Sequence, residues 1–554
     1  MLWSLGALVG LSAVPLVVFE LTKGPTVPPL PDGIESGTAP FVTIFLVDGL
    51  SQHSLEDGLR TGVFPNMGQC IRSGAYIENG IGAFPSMTGY AFYPFLTGDD
   101  ATRSGILGLR WFDRERDLGP FRNYIGRTNV QMNRDLLDEP ELLFEELLPQ
   151  YSSSFNSYLN RGSVRQWSGG FSHTMAKFGE RSLLLGTLAL ARFLDDELAP
   201  DWRVVENQVV DEAVADLALQ PKVQWITFSS PDGDYHVHGD ATRYQERLEW
   251  VDEAIGRYME ATRRIESFDD RVFLIVSDHG VVSVGENIDP RTILQERGLT
   301  IFRGAVAVLA RRELTQPMSE FDEVDGVLAI NGNTMAYLYL KHPGRGWQAR
   351  PDYEQLTHYS VQSGNSHVDV IESLLELPGV EMVVARDEEK IRVRTSDAEA
   401  AISKSADGYL YEAIHGDPLA YHDDAGAGSL LDGRPHSREA WLQGTAHTQF
   451  PFAAVRLFDL LSQDNAGDVI ITSREGYDFA PDYEMFVGNY RGGHGGIRAD
   501  QLRVPYVLCG WGVQPGVKVN VATAEDVGAT LRSLLGRLLR PSRAGRPLEE
   551  VLRD

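Results

Sequence analysis

The sequence predicts an α/β protein with a mostly parallel central sheet sandwiched by helices and an appended α+β subdomain. Continuous apolar, β-rich runs recur along the chain, as expected of strands buried on both faces. Helical patterns separate these runs, which favours parallel strands joined by helices. From about residue 302 to residue 421 the runs are shorter and typical of antiparallel strands, so this stretch predicts the subdomain.

The N-terminal segment is uncharged from Leu2 to Phe19, a stretch of 18 residues. A helix of this length extends roughly 27 Å, enough to cross a thin hydrocarbon layer. We interpret residues 1–23 as a signal-anchor or export signal, with a buried N-terminal helix as the alternative, and residues 24–39 as a Pro-rich tether. This organisation predicts an exported protein, at the cell surface or in the periplasm and tethered to the membrane through residues 2–19, rather than a cytoplasmic one.

The remaining chain divides into three parts by its predicted elements. Residues 40–300 form the first part of the core, with a helical insertion at about 114–215. Residues 301–465 form the α+β subdomain, and residues 466–554 return to the core. The strand-like runs are Phe41–Val47, Val223–Phe228, Val272–Val276, Val469–Thr472 and Val504–Leu508, and the helical patterns are Leu142–Leu148, Ser182–Leu198, Tyr244–Arg264 and Ala524–Leu539.

The composition indicates a folded, acidic protein. Of its 554 residues 43% are hydrophobic, and 50 Lys and Arg stand against 78 Asp and Glu, a net charge of −28. Affinity for a nucleic-acid polymer depends on Lys and Arg side chains that neutralise phosphates, so we expect no such partner. The two cysteines, Cys70 and Cys509, exclude a disulfide-rich scaffold and a zinc–thiolate cluster. We expect them to be buried free thiols.

Acidic and histidine residues follow the ends of the predicted strands. The carboxyl ends of parallel strands lie at one edge of a sheet, where ligands bind. Three Asp and three His form the N/O ligand set that two metal ions require, so the sequence predicts a two-metal centre. The six residues are Asp48, Asp232, His236, Asp278, His279 and His494.

Thr88 lies at the start of an apolar, helix-like run that extends from Pro85 to Gly98. The free N–H groups and the positive dipole end of a helix N-terminus suit a bound anion. The ordinary interpretation of Thr88 is a helix N-cap. Opposite a two-metal centre it becomes a candidate nucleophile, because a nearby metal lowers the pKa of a hydroxyl.

Seven motifs occur in order along the chain: Asp48-Gly49, Thr88, Thr97-Gly98, Gly105-Ile106, Asp232-x3-His236-x2-Gly239, Asp278-His279-Gly280 and His494-Gly495. Together they resemble the alkaline phosphatase superfamily, and within it the type I phosphodiesterase/nucleotide pyrophosphatase family. The resemblance covers about 40–113, 220–285 and 465–545. It implies an alkaline-phosphatase-like fold and a phosphoric ester hydrolase that acts on a small-molecule phosphate ester.

The resemblance also implies a role for each matching residue. Asp232, His236 and His494 would hold one cation, and Asp48, Asp278 and His279 the other. Three His ligands favour Zn²⁺, with Mn²⁺ as the alternative. Thr88 would lie between the cations and attack phosphorus, forming a phosphothreonine.

These roles make a phosphodiesterase the expected activity. A phosphomonoesterase or a phosphoryl-group transferase of the same superfamily is the alternative. An inactive binding or scaffold protein on this fold is the alternative of another class. A sulfatase is disfavoured because the sequence has no Cys/Ser-x-Pro-x-Arg motif.

Two motifs leave a choice of residue. Asp234 and His238 repeat the Asp-x3-His spacing, and we choose Asp232 and His236 because the flanking Pro231 and Gly239 match the family pattern. Asp234 and His238 would line the site or face solvent.

Leu109 stands where the phosphodiesterase pattern has an Asn that donates to a phosphate oxygen. The adjacent Arg110 can donate twice with its planar guanidinium, which makes it a candidate catalytic residue. The alternative for Arg110 is an ion pair with Asp113. The polar stretch 123–134 that follows is either a lid over the leaving group or a solvated insertion.

Overall fold

The computed structural model describes most of the chain after the N-terminal segment. The described residues are Pro25, 27–125, 130–168, 202–303, 315–362, 366–479, 490–537, Arg540 and 543–553. The predicted signal-anchor at 1–23 and the predicted helix Ser182–Leu198 lie outside them. Within the described ranges, no helix combines the length and the apolar character needed to span a membrane.

Strands and helices alternate along much of the described chain. The strands are β1 (Phe41–Val47), β2 (Ala75–Ile81), β3 (Arg110–Phe112), β4 (Phe121–Asn123), β5 (Ser152–Phe155), β6 (Arg165–Trp167), β7 (Val223–Phe228), β8 (Arg271–Val276), β9 (Val282–Ile288), β10 (Ile301–Arg303), β11 (Gly326–Asn331), β12 (Met335–Leu340), β13 (Tyr359–Ser360), β14 (His367–Val368), β15 (Val380–Asp387), β16 (Lys390–Arg394), β17 (Glu399–Ser405), β18 (Gly408–His415), β19 (Val469–Ser473), β20 (Gly476–Phe479), β21 (Gly492–Gly493), β22 (Arg503–Gly510) and β23 (Val517–Thr523). The helices are α1 (Gln52–Thr61), α2 (Pro65–Ser73), α3 (Tyr93–Thr97), α4 (Val130–Asp135), α5 (Leu143–Glu146), α6 (Trp202–Asp216), α7 (Ser230–His238), α8 (Ala241–Arg264), α9 (Pro290–Glu296), α10 (Tyr353–Thr357), α11 (Val370–Leu375), α12 (Ala425–Gly428), α13 (Arg438–Thr445), α14 (Ala453–Leu461), α15 (Ala499–Leu502) and α16 (Ala524–Leu534).

The central sheet has eight strands in the spatial order β23–β2–β22–β8–β1–β7–β5–β6. Only β22 runs antiparallel to its neighbours, so the sheet is mostly parallel, as predicted. Every residue of β1, β7 and β8 is buried, which is why these strands are continuous apolar runs in the sequence. The predicted fold class is confirmed.

A second sheet, in the order β10–β11–β12–β19–β15–β16–β17–β18, supplies the α+β part of the fold. Its strands are antiparallel except for β10 and β11. The sequence predicts the run Val469–Thr472 as a strand of the central sheet, and this prediction is wrong: the run lies in β19, which pairs with β12 and β15. A strand buried on both faces has the same apolar pattern in either sheet. The domain boundaries themselves stay a prediction.

The stretch 114–215, expected to be a helical insertion, contains strands in its described part. β5 and β6 extend one edge of the central sheet beyond β7. The long helix expected at Tyr244–Arg264 is present as α8, whereas the pattern at Ala524–Leu539 is helical only to Leu534.

Cys70 and Cys509 form a disulfide, so the expectation of two free thiols is wrong. α2 packs against β22, and this contact brings the two Cα atoms to 5.4 Å although 439 positions separate them in the sequence. Disulfides form and persist in oxidising compartments, and the bond therefore agrees with an exported protein.

Candidate metal centre

Three adjacent strands of the central sheet end at the candidate site. Asp48 directly follows β1, Asp278 follows β8, and Asp232 lies in the first turn of α7 after β7. The order β8–β1–β7 is continuous, so the carboxyl ends of these parallel strands lie side by side at one edge. The sheet topology therefore brings three carboxylates together that are far apart in the sequence.

Asp232, His236 and His494 form the first of two groups. Asp232 and His236 are one helical turn apart on α7, and His494 follows β21. One ligand atom from each residue lies within 4.8 Å of the others, and His494 Nε2 is 3.9 Å from Asp232 Oδ1. These distances suit three ligands of a single cation.

Asp48, Asp278 and His279 form the second group. His279 Nε2 lies 3.5 Å from Asp48 Oδ1 and 3.4 Å from Asp278 Oδ2. The rings of His279 and His494 stack with centroids 3.8 Å apart, which links this group to the first. The two groups are therefore neighbours within one centre.

The electrostatics of the second group favour a bound cation. Burial and the nearby charge of Asp232 raise the pKa of Asp278 to about 8. Burial, together with the charges of Asp278 and Asp232, raises the pKa of Asp48 well above its usual range. Burial and the neighbouring His494 lower the pKa of His279 well below its usual range. A cation would relieve the repulsion between the carboxylates and bind the neutral imidazole.

Two further observations fit a cation. Among the residues that the structure describes, neither Asp232 Oδ1 nor Asp278 Oδ2 accepts a hydrogen bond, although both atoms are buried. The Nδ1 atoms of His279 and His494 lie 3.2 Å and 3.0 Å from the backbone oxygens of Gly280 and Ser86. Such contacts hold the proton on Nδ1 and leave the Nε2 lone pair for a metal.

Thr88 lies against the second group. Its Oγ1 donates to Asp48 Oδ1 at 3.4 Å and lies 3.0 Å from His279 Nε2. Thr88 precedes a short 3₁₀ turn, Tyr90–Phe92, which continues into α3. The predicted nucleophile is thus beside a helical N-terminus and in contact with two of the predicted ligands.

Asp234 and His238 lie elsewhere on α7. Asp234 accepts hydrogen bonds from Arg243 at 3.0 Å and 2.9 Å and from Arg247 at 3.2 Å. His238 Nε2 is 3.8 Å from Asp234. These two residues form an ion-pair cluster with the arginines of α8, whereas Asp232 and His236 belong to the first group.

Arg110 lies on β3, is buried, and lines the cavity over the centre. Its Nη1 donates to the backbone oxygen of Ile330 at 3.2 Å. Asp113, the alternative partner in the sequence analysis, accepts instead from Arg116 Nε at 2.9 Å.

The cavity has a volume of about 1270 Å³ and contains side chains of both groups together with Thr88. From the stretch 123–134, Ile125, Asn133 and Arg134 line it. The interpretation of this stretch as a lid stays a prediction. Four Tyr and Trp side chains from other parts of the chain also line the cavity: Tyr158, Trp167, Trp202 and Tyr490.

Asn333 is a residue of the site that the sequence analysis missed. It lies in the turn between β11 and β12 of the second sheet, and its Nδ2 is 3.2 Å from His236 Nε2. The local signal was the Asn331-Gly332-Asn333 sequence between two apolar runs, which is typical of a hairpin turn. That signal predicts a turn but not its contact with the centre.

A family model matches the sequence, and solved structures match the fold. The model of the family described as type I phosphodiesterase / nucleotide pyrophosphatase matches residues 42–497. Human ectonucleotide pyrophosphatase / phosphodiesterase 5 has a similar structure, with a TM-score of 0.53 and 11% identity over 93% of this chain and 100% of that chain. The murine protein of the same name has a TM-score of 0.51 and 11% identity, with coverage of 93% and 100%. No curated protein matches the sequence.

Proposed function

The chain belongs to the type I phosphodiesterase / nucleotide pyrophosphatase family and is a phosphoric ester hydrolase, and on this premise we propose that it is a phosphodiesterase working through a phosphothreonine on two zinc ions. The observation that carries the proposal is the position of Thr88, whose Oγ1 lies 3.0 Å from His279 Nε2 at the edge of a six-residue N/O centre. A hydroxyl in this position can attack a phosphorus atom held in the cavity.

The family is metal-dependent, and the donor set fits two divalent cations. Asp232, His236 and His494 would hold one, and Asp48, Asp278 and His279 the other. When bound, the cations would lower the pKa of the attacking hydroxyl and offset the negative charge on the phosphate oxygens. The three histidines favour Zn²⁺ over Mn²⁺.

Thr88 is the residue that forms a covalent bond to phosphorus in this proposal. Its Oγ1 loses the hydroxyl proton to solvent and forms a bond to phosphorus, while the bond from phosphorus to the leaving oxygen breaks. The leaving group departs as an alcohol after taking up a proton from solvent. Water then attacks phosphorus and loses one proton to solvent, while the Thr88–phosphorus ester breaks and Thr88 Oγ1 takes up a proton from solvent. This step releases a phosphate monoester. Asp48 orients the hydroxyl by accepting its hydrogen bond.

Arg110 is the second proposed catalytic residue. It lines the same cavity as Thr88, and a guanidinium can contact a phosphate with more than one N–H. We assign it to an oxygen of the bound phosphate. Its hydrogen bond to the backbone oxygen of Ile330 fixes the side chain in the buried position from which it would act.

A substrate panel on the zinc-loaded protein tests the activity. The panel contains a bis-aryl phosphate, an aryl monophosphate, an aryl sulfate, a nucleotide and a glycerophosphodiester. We expect the diesters to have the highest kcat/KM. A clear preference for the monophosphate would support the phosphomonoesterase or transferase alternative. Turnover of none of the five would support an inactive binding or scaffold protein.

We also propose that the protein is exported and tethered to the membrane through residues 2–19. The disulfide between Cys70 and Cys509 supports export. The proposal of a membrane tether is supported by the uncharged N-terminal sequence alone. Membrane fractionation of the full chain and of a chain starting at Asp32 tests it, since only the full chain should sediment with the membranes.

A further inference from the structure

The turn between β11 and β12 brings an amide side chain to the candidate metal centre. Asn333 is buried, with 2% of its surface exposed, and lines the same cavity as Thr88 and Arg110. Its Nδ2 lies 3.2 Å from His236 Nε2. The second sheet thus supplies an N–H donor to a centre whose proposed ligands follow strands of other sheets.

The backbone around Asn333 is fixed by its neighbours. Its carbonyl oxygen accepts from Phe479 N at 2.7 Å, and the carbonyl oxygen of Gly332 accepts from His494 N at 2.8 Å. Thr334 N donates to the carbonyl oxygen of His494 at 3.1 Å. These hydrogen bonds tie the turn to the loop that carries His494, so the backbone from which the amide projects is fixed before a substrate arrives.

We propose that Asn333 is a catalytic residue that donates an N–H from Nδ2 to a non-bridging oxygen of the bound phosphate. The proposal rests on the proposed function, because it requires a phosphate ester at the centre. In the structure Nδ2 faces His236 Nε2, and we take this nitrogen, like Nε2 of His279 and His494, as the one with which His236 would hold a cation. Once that lone pair binds a cation it no longer accepts a hydrogen bond, and the amide needs another acceptor.

The negative group that enters the cavity is the phosphate, which therefore provides this acceptor. A hydrogen bond to a charged oxygen is stronger than one between neutral groups. The side chain of Leu109, which lines the same cavity, has no hydrogen-bond donor. Because the amide of Asn333 is a neutral donor, it does not compete with the cations for the carboxylates.

The competing role for Asn333 is that it only positions His236 for metal binding. The two roles differ in what is lost with the side chain. A donor to the phosphate affects the affinity for phosphate and leaves the metal content unchanged. A residue that positions His236 affects the metal content, and saturating metal restores activity.

Two variants separate these roles in the full chain. Asn333→Gly removes the side chain. Glycine readily adopts the backbone conformation at this position, where φ is +73°. Asn333→Asp keeps the shape but replaces the donor with an anionic acceptor, and Asp also tolerates this conformation. Asn207→Ala, at an exposed position on α6, is the matched control.

The measurements are metal content, affinity for inorganic phosphate by calorimetry at saturating zinc, and kcat/KM for a bis-aryl phosphate. For Asn333→Gly we expect unchanged metal content and a loss of phosphate affinity and of kcat/KM of about 10- to 100-fold. Asn333→Asp should lose more of both, because its carboxylate repels the phosphate. Asn207→Ala should match the wild type throughout.

Unchanged phosphate affinity and turnover in both Asn333 variants, with an active wild type, overturns the role of Asn333 alone. Loss of metal with full recovery at saturating zinc also overturns it, in favour of positioning His236. A wild-type protein that hydrolyses no ester overturns the proposed function and with it this role. If Asn333→Gly fails to fold, the result for Asn333→Asp decides.

Discussion

Thr88 is the residue on which the proposed chemistry depends, and its contacts determine what its removal should do. Its side chain is small and contacts Asp48 and His279 at the edge of the centre. Thr88→Ala should lower kcat for a bis-aryl phosphate on the order of 1000-fold or more, because the attacking oxygen is lost. Thr88→Ser should retain measurable turnover, since it keeps the hydroxyl. Wild-type turnover by the alanine variant would remove Thr88 as the nucleophile.

The choice between His236 and His238 makes a second prediction at the scale of residues. His236 belongs to the group with Asp232 and His494, whereas His238 lies near Asp234 and its arginine partners. His236→Ala should therefore reduce the zinc content by about one ion per chain. His238→Ala, two residues away on the same helix, is the control and should keep both ions. The opposite pattern in elemental analysis would transfer the ligand role to His238.

Helix α7 carries two proposed ligands, and its N-terminus is stabilised by a residue from another helix. The side chain of Ser229, the N-cap, makes no capping hydrogen bond to the helix, and Glu206 of α6 accepts from Ser230 N at 2.9 Å instead. Burial raises the pKa of Glu206 to about 7. The carboxyl group is therefore protonated in the folded protein at a pH where it ionises in the unfolded chain.

A third prediction follows at the scale of this element. Since the folded-state pKa of Glu206 is raised, its contribution to stability is complete at acidic pH and is lost as the pH rises through about 7. The loss should be on the order of 3 kcal/mol between pH 4 and pH 8. Glu206→Gln keeps the acceptor without the charge, so its unfolding free energy should vary less with pH. Parallel pH profiles for both zinc-loaded proteins, measured by urea unfolding, would contradict this account.

The elements differ in how far the sequence could predict them. The strands β1, β7 and β8 could be located because residues buried on both faces leave an uninterrupted apolar run. The same pattern gave a wrong sheet for Val469–Ser473, because the burial of a strand does not specify which sheet it joins. The acidic and histidine residues at strand ends could be found because topology brings such ends together. Asn333 could not, because its contact with His236 depends on how the second sheet packs against the first.

The disulfide is a property of the whole molecule, and no local sequence pattern predicts it. Cys70 on α2 and Cys509 on β22 meet only because α2 packs against β22, which lies between β2 and β8 in the central sheet. The same arrangement makes the bond a cross-link between the early and late parts of the chain.

The fourth prediction concerns this cross-link. A closed loop of this length removes much conformational freedom from the unfolded chain, so Cys509→Ser should reduce the unfolding free energy by about 2–5 kcal/mol. Cys70→Ser should have the same effect, and the double variant should lose no more than either single one. Zinc content should stay at the wild-type value in all three variants, because the bond lies away from the ligand groups. Differential scanning calorimetry checks the stability, and an effect of only one single variant would point to packing rather than to the bond.

The ligands of the two groups lie at different positions along the chain, so the ribosome completes one set of ligands before the other. Asp48, Asp278 and His279 have all been synthesised once the ribosome passes residue 279, close to the midpoint of the 554-residue sequence, so the ligands of their group are present from that point on. The other group waits for His494, which a ribosome adds near the end and which the β11–β12 turn then holds in place. A nascent chain can therefore offer one cation a full set of ligands long before it can offer one to the second.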